Sequence, residues 1–190
     1  MIPSRLVWDL DRKNAVTVCF AAGNSNLDCD GLSSILCINS NEGGITAAAL
    51  DHNGSPQDYS ARGPGQCSHW HPFIGAPTFG VLPYGRGFRD FGFRGGGTSS
   101  AAPQVSGALA LLKGEMPAAD NTELRTALAA GALQFGPTGF DPGTGFGMLQ
   151  VDRALDWLPR ARSHPLYRTF LNRGKPPARP LTRTVLAPAV

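Results

Sequence analysis

The nine residues from Ala15 to Gly23, "AVTVCFAAG", form a continuous apolar run rich in β-branched side chains that stops at a glycine. A strand with one wet face alternates polar and apolar residues. A run without that alternation is buried on both faces, as in a parallel sheet covered by helices. "GGITAAALD", Gly43 to Asp51, repeats the pattern and ends on a polar stop. Asn24 follows the first strand at its carboxyl end, the edge of an open α/β sheet where ligands bind.

Helical patterns follow. In "SAAPQVSGALALLKGEMP", Ser100 to Pro117, the residues Val105, Ala108, Leu109 and Leu112 recur at three- and four-residue spacing on one face. Pro103 near its start is expected to be tolerated, because first-turn N–H groups lack intrahelical partners. Gly107 inside it costs about 1 kcal/mol against alanine, which predicts close packing there. "DNTELRTALAAGAL" predicts a second helix with Asp120 or Asn121 as its cap. "GFGMLQVDRALDWL" predicts a strand-like piece and then a short amphipathic helix. The fold class is therefore α/β: a partial doubly wound, mostly parallel sheet with flanking helices.

At 190 residues, with 42% hydrophobic and 16% charged, the chain can build one core and is not globally disordered. Its 24 glycines and 16 prolines suit a loop-rich enzyme better than a helical bundle. The net charge of +3 conceals an asymmetry: seven of the 17 basic residues lie from Arg160 onward, with no acid among them. After Trp157 the chain turns proline-rich and basic with little periodicity. This predicts a domain over 1–158 and a disordered basic tail over 159–190. The basic isoelectric point thus describes the tail and does not call for a nucleic-acid partner.

No apolar run reaches the roughly 18–20 residues of a membrane span. Asp9, Asp11, Arg12 and Lys13 interrupt any leader-like core near the start. With Met1 as the true start the chain would stay in the cytosol; as a truncated piece it could have lost a leader. The four cysteines show no Cys-x-x-Cys spacing, which argues against zinc. Cys29 and Cys37 flank a short polar loop and could pair in an oxidising compartment, whereas Cys19 reads as a buried free thiol.

"GRGFRDFGFRGGGTSSAAP", Gly85 to Pro103, admits three chemistries. A phosphate loop needs a lysine after its last glycine, and Gly97 is followed by Thr98. An arginine–glycine segment that stacks on bases usually comes in repeats outside packed domains, and this one is single. The third is a glycine-rich lead into a nucleophilic serine. Such a serine sits at a tight turn before a helix, with small neighbours for a substrate backbone and free amides for an oxyanion. The alternative is a plain glycine turn with a capping serine.

"AAGNS", Ala21 to Ser25, followed some seventy residues later by "GTSSAAP", resembles the subtilisin-like serine proteases. "YSARGPG", "APTFGVLP" and "GFGMLQVDRAL" are similar to that family's S-x-x-G-P turn, its A-P-G stretch and its closing segment, in the same order. The resemblance spans Ala15 to Leu158. It implies peptide-bond hydrolysis through an acyl-enzyme, with Ser99 as nucleophile and a protein or peptide as substrate. It implies that Asn24 donates to the oxyanion with the backbone N–H of Ser99, and that Thr98 adds a weaker donor. Ala22, Gly23 and Gly97 would line the substrate site. No cofactor is implied; calcium is common in the family, but no ligand set matches here.

The family's triad places Asp in a D-S/T-G motif and His in an H-G-T-H motif, both upstream of A-A-G-N. Only 23 residues precede Asn24, neither motif occurs in them, and the first histidine is His52. The S-W-G-type segment that forms the opposite pocket wall has no match either. His52, His69, His71 and His164 read as surface or loop residues. The resemblance therefore covers the C-terminal part of the family's domain. It leaves two readings: part of an active peptidase completed by another segment or chain, or a non-catalytic module that at most binds peptides. The sheet edge facing the missing part would be unpaired, a hazard for a chain standing alone.

Overall fold

The computed structural model describes residues 2–13, 15–25, 35–36, 39, 42–64, 70–78, 81–84, 90–93, 96–135 and 139–172. Cys29, Cys37, Cys67 and His69, and with them the proposed disulfide, lie outside these residues. So does 173–190.

Three parallel strands form the central sheet: β1 (Val18–Ala21), β2 (Gly44–Leu50) and β3 (Ile74–Pro77), in that spatial order. Val18 pairs with Gly44 and Ala21 with Ala47; Ala47 pairs with Ile74 and Leu50 with Pro77. Every residue of the central β2 is buried, as a run that is apolar but for Thr46 requires. The β1 run is equally apolar, yet all four strand residues are only half-buried. Among the described residues β2 is the one strand paired with β1, so β1 is an edge with an interior composition.

Two further strands, β4 (Val81–Tyr84) and β5 (Asp90–Phe93), form an antiparallel hairpin with Val81 opposite Phe93 and Tyr84 opposite Asp90. Part of the Gly/Arg/Phe stretch is thus the returning arm of a hairpin that delivers the chain to the serine turn.

Of the helices, α1 (Ile2–Lys13) comes first and had no counterpart in the sequence reading. The next, α2 (Thr98–Glu115), begins at the serine motif. Its Val105, Ala108, Leu109 and Leu112 are buried together with Ile45, Ala47, Ile74 and Ala76 of the sheet, as the spacing predicted. Two expectations for this helix need correction. Pro103 is its sixth residue, past the first turn, so its ring leaves the Ser99 carbonyl without the usual intrahelical donor. Gly107 is exposed, and a Cβ there would meet nothing within 4 Å. The face that carries Gly107, Ala110, Leu111 and Gly114 is open, with Leu111 60% exposed.

α3 (Asn121–Gly131) is capped reciprocally. Asp120 accepts from the Glu123 N–H at 2.8 Å, and Glu123 accepts from the Asp120 N–H at 2.8 Å. At its other end a Cβ on Gly131 would come within 2.6 Å of the Ala154 backbone, so only glycine lets α3 approach α4 (Val151–Trp157) this closely.

Regular structure continues past residue 158. A 3-10 turn (Leu158–Ser163) and α5 (Pro165–Leu171) follow, where the sequence predicted a disordered tail. Phe170 is 1% exposed, with its ring 5.5 Å from both Phe73 and Phe146. One buried aromatic on a short helix leaves too little periodicity to detect, but its apolar area docks the segment.

The N-terminal helix is held by a buried ion pair. Arg125 and Asp11 approach to 2.9 Å, each with a side chain 1% exposed. Arg125 also donates to the Gly44 carbonyl at 2.7 Å and the Gly43 carbonyl at 2.7 Å, while Asn121 donates to Asp11 at 3.0 Å. Cys19, a free thiol as expected, lies half-buried on β1. Burial pushes its thiol up to about 11, against the lowering pull of the Arg125 charge and a hydrogen bond with Ser106.

Candidate active site

The parallel sheet brings together the two motifs that lie 75 residues apart. Asn24 stands just beyond the carboxyl end of β1, and Ser99 is the second residue of α2; both are exposed. Between them lies Thr98, fully buried.

Thr98 fixes the asparagine. Its backbone N–H donates to Asn24 Oδ1 at 2.8 Å, and its hydroxyl donates to the same oxygen at 3.0 Å. A backbone N–H can only donate, so the Asn24 atom facing it is the carbonyl oxygen, which settles the orientation of the amide. The Nδ2 group, with two N–H donors, then points away from Thr98. The Thr98 hydroxyl in turn accepts from the Gly23 N–H at 3.1 Å. Its one proton is thus directed at Asn24, so the hydroxyl is engaged on both sides within the chain.

Gly97 caps α2 at φ +79°, a left-handed conformation that favours glycine. A Cβ there would also fall 2.9 Å from Asn24 Nδ2. The Gly97 N–H donates to the Tyr59 hydroxyl at 2.9 Å. The next residue but two, Ser100, closes the turn: its N–H donates to the Gly97 carbonyl at 3.0 Å and its hydroxyl to the Gly96 carbonyl at 3.2 Å. The Ser99 hydroxyl makes no hydrogen bond to a described residue.

Gly23 accepts the Ala61 N–H at 2.9 Å, tying the end of β1 to the S-x-x-G-P turn. Ala22 is 1% exposed and packs with Ile35 and Ala61, so its methyl faces a small core instead of open solvent.

None of the described histidines is hydrogen-bonded to Ser99. His52 is exposed in the turn after β2. His71, expected in a surface loop, is 2% exposed, with Nδ1 2.9 Å from the Thr46 hydroxyl. That oxygen also bonds the Asn39 carbonyl. His164 caps α5, accepting the Leu166 N–H at 3.2 Å, and its ring lies edge-on to Trp157. Among the described residues no group of three or more His, Cys, Asp or Glu side chains is placed to hold a metal ion. No described helix is long and apolar enough to cross a membrane.

Tyr59 and Thr78 were quoted in the sequence only as parts of motifs. The one local signal for Thr78 is that it stands where the A-P-G stretch has glycine.

Comparison with known proteins gives a consistent picture. Residues 3–147 match the family model described as the Subtilase family. Fervidolysin of Fervidobacterium pennivorans is 31% identical over 132 residues, covering 60% of this chain and 18% of that protein. A serine protease of Aeromonas sobria shares the fold, with a TM-score of 0.64 at 21% identity over 82% of this chain and 39% of that one. The prenylagaramide maturation protease PagA superposes with a TM-score of 0.59 at 25% identity, over 80% of this chain and 54% of that one. The chain therefore spans about half the length of such solved proteases or less, and under a fifth of the curated relative.

Proposed function

The chain belongs to the subtilase family, and from that premise we propose that it is the nucleophile-bearing part of a serine endopeptidase. Ser99 Oγ attacks the substrate carbonyl. One N–H of Asn24 Nδ2 and the backbone N–H of Ser99 hold the developing oxyanion. Collapse of the tetrahedral intermediate expels the amine and leaves an acyl-enzyme, which water then hydrolyses. Gly23 and Gly97 border the substrate, a peptide or protein, while the buried Ala22 packs behind them. The observation that carries this reading is the double donation from Thr98 to Asn24 Oδ1, which presents the amide N–H₂ beside the serine turn.

The base comes from a segment or chain outside these 190 residues, and the chain alone is inactive. Three features support completion by such a partner. None of the described histidines bonds the serine. β1 has the composition of an interior strand but lies at an edge among the described residues. α2 carries small and apolar residues on its open face as well as its buried one, the pattern of a helix covered on both sides.

A fluorophosphonate probe tests this. The isolated chain should not be labelled. The chain joined to a segment that carries D-S/T-G and H-G-T-H, encoded in frame upstream, should be labelled, and Ser99→Ala should abolish it. No such coding sequence, or no labelling of the joined form, would favour the non-catalytic peptide-binding module.

A further inference from the structure

We propose that Tyr59, braced by Thr78, is a positioning residue for the Ser99 turn. The proposal rests on reading Ser99 as the nucleophile. The Gly97 N–H donates to the Tyr59 oxygen at 2.9 Å. The Tyr59 and Thr78 hydroxyls are 3.0 Å apart, and the Thr78 hydroxyl donates onward to the Leu50 carbonyl at 3.4 Å. Each hydroxyl has one proton. With the Thr78 proton directed at Leu50, the proton between the two side chains belongs to Tyr59. The bonds therefore run in one direction: Gly97 N–H to Tyr59, Tyr59 to Thr78, Thr78 to the last residue of β2. Bonds aligned this way polarise and strengthen one another.

The chain of bonds begins at the most adaptable point of the site and ends at its most fixed. Gly97 has no side chain to hold its peptide, and as the cap of α2 its N–H has no intrahelical acceptor. Leu50 closes the fully buried central strand. Thr78 is itself anchored there, because its backbone N–H donates to the same Leu50 carbonyl at 3.0 Å. A Cβ on Gly97 would fall 2.9 Å from Asn24 Nδ2, so the asparagine amide lies beside this peptide. A swing of the Gly97 peptide would displace both the asparagine amide and the residue before Ser99. A phenylalanine at 59 would fill the same space and hold neither.

The test uses the full chain, labelled with ¹⁵N. Tyr59→Phe and Thr78→Val should each speed hydrogen exchange at the Gly97 amide by about tenfold or more, and shift the Asn24 side-chain amide signals. The Ala127 amide in the core and the unfolding midpoint should hold. Thr78→Ser, which keeps the hydroxyl, should restore wild-type exchange. In the form joined to the triad segment, Tyr59→Phe should lower the limiting rate of fluorophosphonate acylation about tenfold with the half-saturating probe concentration unchanged. Unchanged Gly97 exchange in both variants overturns the tether. Faster exchange with an unchanged acylation rate overturns the positioning role. Faster exchange with no labelling of the wild-type joined form would establish the tether and sink the nucleophile reading instead.

Discussion

Thr98 donates twice to one atom of Asn24: its backbone N–H and its hydroxyl lie 2.8 and 3.0 Å from Oδ1. The asparagine is exposed, and its amide would otherwise rotate freely in water. The two bonds hold it with N–H₂ turned away from Thr98, the preorganisation that the proposed oxyanion role requires.

The two residues should therefore be energetically coupled. In the form completed by the triad segment, Asn24→Ala should lower acylation by about 10²–10³, the magnitude known for the corresponding donor in subtilisin, a member of this family. Thr98→Val keeps the shape, removes the hydroxyl and should cost on the order of tenfold, roughly 1.4 kcal/mol. Much of that loss should vanish when Asn24 is already alanine. A double-mutant cycle on acylation rates measures it, and full additivity would mean that Thr98 does not act through Asn24.

Gly97→Ala should damage the site without unfolding the domain. The left-handed backbone at φ +79° penalises a side chain, and the new methyl would fall 2.9 Å from Asn24 Nδ2. The expected outcome is a loss of labelling in the completed form larger than that of Thr98→Val, with a midpoint lowered by only a few degrees. An alanine variant labelled at the wild-type rate would show that the amide does not need its present place.

The sequence made the sheet readable where burial is symmetric. β2 is apolar but for Thr46 because both its faces are covered, and α2 showed its inner face because four residues repeat on it. It hid what depends on distant partners. Arg125 sits in "NTELRTALAAG" like any helix-surface arginine, and its partner Asp11 is 114 residues away. The Tyr59–Thr78 pair is likewise invisible to local pattern. Ser99 and Asn24 stand out in the sequence because the motifs that carry the family resemblance fix their immediate neighbours. The purpose of Thr98 does not, since an N–H and a hydroxyl aimed at an amide oxygen leave no sequence trace.

Phe170 tests the domain boundary. Its ring is buried against Phe73 and Phe146. In the full chain Phe170→Ala should destabilise by about 3–5 kcal/mol, the usual cost of a large cavity. Denaturant unfolding measures it. A boundary at residue 158 would instead leave the midpoint untouched.

Arg125→Met should be among the most damaging substitutions outside the site. It takes the 2.9 Å guanidinium partner from the buried Asp11 carboxylate, leaving the Arg12 guanidinium at 3.8 Å, and removes the donor from the Gly43 and Gly44 carbonyls. Breaking such a pair costs about 3–5 kcal/mol. Arg125→Met combined with Asp11→Leu should recover part of the loss, because the buried carboxylate is then removed along with its main partner. Chemical denaturation of the two variants decides it; equal stabilities would mean that the carboxylate charge is not what makes the single change costly.

Glu123 should set part of the acid limit of stability. Burial raises its carboxyl. The hydrogen bond from Arg162 at 2.7 Å, the Asp120 N–H and the charges of Arg162 and Lys113 outweigh that and hold it below its ordinary value. A carboxyl depressed in the folded state stabilises the fold above its unfolded pKa of about 4.3. That contribution is lost as pH falls through the lower folded value. Stability should thus decline on acidification below about pH 4.3, and Glu123→Gln should flatten that decline by removing the titration. Because Arg162 lies beyond residue 158, Arg162→Ala should raise the Glu123 carboxyl while leaving the Asp120 cap in place. A ¹³C titration of the Glu123 carboxyl in both chains reads the shift directly, and an unmoved titration midpoint would show that the post-158 segment does not act on α3 through this pair.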